Sequence, residues 1–105
     1  MANDSVTWRQ KIKELSRQAY EYAVARFQKG RALDDDTLQQ VVQLQDELRS
    51  LAAQLRENDP QLHRECGNAI SEGLLDFNYA INATPATSLR LNQYLENEEA
   101  RKHLT

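Results

Sequence analysis

His63 and Cys66 stand three residues apart in the run Pro60-Gln61-Leu62-His63-Arg64-Glu65-Cys66. On a helix that spacing turns both side chains to one side, where they could share a zinc ion. A structural zinc site takes four ligands, and the chain offers only one further histidine, His103, and no second cysteine. The pair therefore reads as packing, with Cys66 a small buried apolar residue and His63 on the rim of a first helical turn. Asp34, Asp35 and Asp36 raise the question of a divalent cation. Consecutive residues point in different directions, and the spaced ligands and glycine of a calcium loop are missing. These acids read instead as a helix cap and its dipole complement. Glu21, Glu47, Glu65, Glu72 and Asp76 are carboxylates on what become facing helices. The paired Glu-x-x-His motifs of a di-iron bundle are absent, as is a glycine-rich phosphate loop. No arrangement of serine, histidine and acid suggests a triad. The expectation is a non-catalytic protein with no catalytic, metal-binding or cofactor-binding residues and no cofactor.

A second chemistry is phosphate binding. Arg9, Lys13 and Arg17 recur every four residues and form one basic stripe, with Trp8 and Tyr20 beside it. A helix that enters a nucleic-acid groove has this look. The net charge, however, is −3; residues 1–31 carry seven basic and three acidic side chains, and residues 32–105 carry six and thirteen. The acidic remainder opposes the positive field that phosphate binding needs, and no helix-turn-helix pattern is evident. A basic first helix that packs on its own acidic neighbours is the plainer reading, and a nucleic-acid-associated regulator is the alternative.

The elements that must position these residues are helical. Three glycines and two prolines in 105 residues are too few for many tight turns between strands. Trp8, Ile12, Leu15, Ala19 and Tyr22 are spaced as one seam of a helix over residues 5–29, capped by Asp4 or Ser5 and stopped by Gly30. Arg26 interrupts the seam, and the apolar set shifts to Tyr20, Ala23, Val24 and Phe27. Val41, Leu44, Leu48, Leu51 and Leu55 define a second helix over 37–57 with Asp36 as its cap. Leu38, Val42 and Ala52 widen that stripe to about half the circumference, which suggests a central position. Asp59 and Pro60 open a third helix over 60–82, with Gly73 in its apolar arc where another helix can come close. Thr84-Pro85 repeats the signal ahead of a fourth, over 86–100, that carries Leu91, Tyr94 and Leu95 and then turns acidic.

Three long helices with short connections predict an all-α fold, an up-down-up three-helix bundle with a short fourth C-terminal helix, in one domain over residues 1–105. Leu75 and Tyr79 fall on the far side of the third helix. Together with the wide second stripe they suggest self-association as a homodimer. The expected function is a protein–protein interaction module, an adaptor, chaperone-like or regulatory protein, with an enzyme whose site forms between subunits as a remote alternative. Its partner-binding candidates are the aromatic and arginine residues that binding hot spots favour: Trp8, Arg17, Tyr20, Arg26 and Tyr94. One cysteine excludes an internal disulfide. The polar start Met1-Ala2-Asn3-Asp4-Ser5 shows no secretory segment, and no apolar run nears the roughly 20 residues that span a bilayer. The expected setting is cytoplasmic, away from membranes.

Overall fold

The computed structural model describes residues 2–82 and 88–104, with side chains over 6–82 and 88–98. Its described regular structure is all helical: α1 (Ala2–Lys29), α2 (Asp35–Asn58), α3 (Pro60–Glu65), α4 (Gly67–Asn82) and α5 (Leu89–Leu104). The fold is all-α.

The helix ends follow from local chemistry. Gly30 adopts a φ of 69°, the left-handed conformation that closes α1, and its N–H donates to Arg26 O at 3.2 Å and Phe27 O at 3.1 Å. At the start of α1 the helix continues back to Ala2, so Asp4 and Ser5 fall inside the first turns and not at the cap. No proline or glycine there halts propagation. The cap of α2 is Asp34, two residues before the expected Asp36: its extended backbone lets Oδ1 accept the Thr37 N–H at 2.8 Å. Asp35 and Asp36 then sit in the first turn, against the positive end of the dipole. Asp59 both ends α2, its N–H donating to Leu55 O at 2.8 Å, and caps α3, accepting from Leu62 N–H at 3.1 Å, with Pro60 at the first helical position.

The expected third helix over 60–82 is two helices. Cys66 has φ −93° and ψ 4°, off helical values, although its N–H still reaches Leu62 O at 2.9 Å and its carbonyl accepts from Ile70 N–H at 3.0 Å. Gly67 follows and has little intrinsic hold on helical geometry. The Thr84-Pro85 signal lies outside the described residues. The last helix starts at Leu89 with Ser88 as its cap: Ser88 Oγ accepts the Leu91 N–H at 3.2 Å. It reaches Leu104, past the expected end at 100.

The core is one cluster that includes Ile12, Leu15, Val41, Leu48, Leu55, Ile70 and Phe77, with Trp8, Tyr22, Leu44 and Leu51 packed around it. α4, not α2, is the central element. It packs most extensively on α1, next on α2, and also touches α3 and α5. Stripe width on α2 overstated that helix's role, because packing depends on how near backbones can come. A Cβ placed on Gly73 would stand 2.8 Å from Leu48 Cδ2 and 3.4 Å from Ser16 Cα. A side chain there would have to push the Leu48 methyl aside.

Two glycines on one helix should therefore respond oppositely to the same change. Gly67 has nothing within 4 Å of a Cβ, so Gly67→Ala should stabilise by about 0.5 kcal/mol. Gly73→Ala gains helix propensity but overpacks a site where Leu48 is fully buried, for a net loss of about 1–2 kcal/mol. Urea midpoints of the two variants decide it; equal shifts would count against the close approach at Gly73.

The Thr37 backbone N–H donated to Asp34 holds that carboxyl below the usual aspartate range. A carboxylate with a depressed folded-state pKa contributes its stability in full at neutral pH and loses it as pH falls through the depressed value. The thermal midpoint of the wild type should drop more steeply than that of Asp34→Asn below about pH 4. Parallel profiles would contradict this.

Candidate interaction site

The densest polar arrangement in the described structure joins α5 to α4 and α1. Asp76 lies on α4 in the arc of Gly73, Phe77 and Ala80, and its side chain is fully buried. A carboxylate in that position requires partners. The Ser88 hydroxyl donates to its Oδ1 at 2.5 Å, and Arg90 Nη2 donates to its Oδ2 at 2.6 Å. The same Nη2 donates to the Ser16 carbonyl of α1 at 3.0 Å. The Arg90 guanidinium stacks over the Tyr20 ring, its Cζ 4.5 Å from the centroid, a favourable cation–π placement. Tyr94 stands edge-on to Tyr20 and to Phe27, each at 6.3 Å between centroids, and its hydroxyl accepts from Gln28 Nε2 at 3.0 Å. These contacts dock the first two turns of α5. Chemically they consist of donor–acceptor pairs inside the fold, with one exception: Arg90 Nε is shielded from solvent without a hydrogen-bond partner.

The residues expected at a partner surface are dispersed. Tyr20 and Tyr94 meet in this joint. Trp8 packs on the main core. Arg17 is exposed between Glu14 and Glu21 on its own helix, with Nε 3.0 Å from Glu14 Oε2. That pairing raises the Arg17 pKa, chiefly through the bond to Glu14, and lowers that of Glu14. Arg26 is half-buried, and its Nε is shielded from solvent without a hydrogen-bond partner. Leu75 and Tyr79 are half-buried. Three residues along a helix is a turn of about 60° short of full circle, so Tyr79 neighbours Asp76 on the surface of α4. In the basic stripe, Arg9 pairs with Glu65 of α3 while Lys13 is exposed.

The large exposed apolar side chains among the described residues are Val6 of α1, 56% exposed, Val42 of α2 and Leu89 of α5. Val42 is 40% exposed and Leu38 half-buried; with Asp35, Gln39 and Gln43 they line a shallow depression. Leu89 is 68% exposed and shares a second depression with Asn92, Leu95 and Glu96. Cys66 is buried and His63 half-buried, and no group of three or more potential metal ligands gathers among the described residues. No helix among them is long and apolar enough to cross a membrane.

Comparison of the chain with protein-family models, with curated proteins and with solved structures finds no match in any of the three.

Ser88 and Arg90 were not visible as a pair with Asp76 from spacing alone. The signal that pointed to them is Asp76 itself, a charge between Gly73 and Phe77 on an apolar arc. Such a charge calls for a cation from another element, and Arg90 is the first basic residue after it.

Removing the cation tests the joint. Arg90→Ala leaves Asp76 buried with only the serine hydroxyl. The cost of breaking a fully buried pair is reduced here because the Arg90 side chain is 34% exposed, leaving about 2–3 kcal/mol. Amide exchange over residues 89–98 should accelerate while α4 and the middle of α1 stay protected. Unchanged protection in α5 would show that the ion pair does not hold it.

Proposed function

We propose that this chain is a non-catalytic protein–protein interaction module, an adaptor or regulator, that acts as a homodimer in the cytoplasm. The observation that carries the reading is the apolar shoulder of α2, where Val42 is 40% exposed beside Leu38, which packs on the core and is half-buried. The other long face of α2 already meets α4 and α1. A helix that is apolar over half its circumference needs more neighbours than one chain supplies.

We take the framework to be the up-down-up bundle. Arg9 of α1 meets Glu65, and Ser16 lies against Gly73, so α1 and the α3–α4 segment advance together. The Tyr22 hydroxyl lies 3.4 Å from Gln40 Oε1 early in α2, which fits α2 running the other way. This places the α2 shoulder along the outside of the bundle. Trp8, Tyr20 and Tyr94 have internal contacts that limit them to a supporting part in partner binding, and Leu75 and Tyr79 are already half-buried. The α2 shoulder is thus the better self-association surface. A buried lone thiol fits a reducing compartment.

The nucleic-acid alternative would draw on Arg9, Lys13 and Arg17. Acidic partners at Arg9 and Arg17 weaken the field it depends on, and no observation favours it over the apolar shoulder.

Sedimentation velocity tests the proposal. The wild type should sediment as twice its 12.1 kDa chain mass, and Val42→Glu should shift it to the monomer with its circular dichroism unchanged. A wild type that stays monomeric across the accessible concentration range sinks the reading.

A further inference from the structure

Along α2 a second line of residues runs beside the core seam. Asp35, Leu38, Val42, Asp46, Arg49, Ala53 and Arg56 follow one another at intervals of three or four, so they share one strip of the helix surface. Gln45, at its inner edge, is buried against the core. Asp35, Val42, Asp46, Arg49, Ala53 and Arg56 are exposed, and among the described residues none of the four charged ones makes an ion pair. The strip is acidic towards its start and basic towards its end, with Leu38 and Val42 in the first half and Ala53, a small residue, in the second.

We propose that this strip is the contact between two copies of the chain, with the two α2 helices packed antiparallel about a two-fold axis level with Gln45 and Asp46. The inference rests on the dimer proposed above and specifies its geometry. A two-fold contact must be self-complementary, and this strip is. With the axis at that level, Asp35 comes level with the partner's Arg56, Leu38 with the partner's Ala53, and Val42 with the partner's Arg49. The large apolar side chain of one helix meets the small one of the other. The methylene stem of each Arg49 covers the opposite Val42, and its guanidinium extends towards the opposite Asp46. Antiparallel alignment also sets opposite dipole ends together. A parallel pair would instead stack acid on acid and base on base along the same strip.

Cysteine cross-linking reads the orientation in the full-length chain. Asp46→Cys sits beside the axis and should form a disulfide-linked dimer on mild oxidation. Ala53→Cys should not, because the antiparallel arrangement separates its two copies by about 22 Å along the helices; Cys66, buried, should remain unlinked in both. Charge reversal reads the complementarity. Arg49→Glu with Arg56→Glu should weaken self-association about tenfold, as should Asp35→Lys with Asp46→Lys, and an equimolar mixture of the two variants should recover the dimer. Efficient linking through Ala53→Cys, or a dimer indifferent to both reversals, overturns the antiparallel strip while leaving the dimer itself standing. A monomeric wild type removes both.

Discussion

The fold turns on a missing methyl group. At Gly73 the backbone of α1 and the side chain of Leu48 from α2 converge on one point of α4, where a Cβ would have to displace the Leu48 methyl. α1 is correspondingly built from small residues on its inner side, with Ser16, Ala19 and Ala23 all buried. Short side chains let two backbones come close, and close backbones gain dispersion contacts along their whole length. That is why α4, although only 16 residues long, holds the centre while the longer α1 and α2 lie to either side. Everything else is arranged around that near approach, including the level at which Asp76 meets α5, one turn further along.

Polar contacts have a different distribution from apolar ones here. The main core joins α1, α2, α3 and α4 through apolar side chains. α5 is attached by an ion pair, a hydroxyl, a cation–π stack and aromatic edges, with Leu91 as its fully buried apolar anchor. A polar joint sets geometry tightly but contributes a modest net stability, since both ions were solvated before folding. The molecule thus has a strongly held unit and a more weakly held appendage, and local opening follows such gradients.

Local signals in the sequence were legible. Gly30 and the Asp59-Pro60 pair mark real boundaries because each acts through its own backbone and its immediate neighbours. The cap of α2 was ambiguous among three consecutive aspartates; the choice of Asp34 depends on which one leaves an extended backbone behind it. The interruption at Cys66 was hidden by an unbroken apolar arc on either side of it. The centrality of α4 was hidden because apolar periodicity counts how much a helix can bury and not how close its neighbours can come. Ser88 and Arg90 act across 12 and 14 residues of chain, with no periodicity to link them to Asp76. Arg17, read as a contact residue, is engaged by glutamates one turn to each side, at positions that spacing alone does disclose. Of the residues that widened the α2 stripe, Leu38 and Ala52 pack on the core and Val42 alone is exposed.

The Ser88 hydroxyl has a consequence for how α5 could leave. Its one proton goes to Asp76, and its oxygen accepts the Leu91 N–H that starts the helix. Docking and helix initiation therefore share an atom. A free helix of 16 residues is close to the length, about 12–15 residues, below which isolated helices are marginal in water. Detached from α4, the segment would lose both its seat and its nucleus, and would melt into coil instead of swinging out as a stiff arm. Its release is an order-to-disorder transition whose gain in chain entropy works in favour of opening.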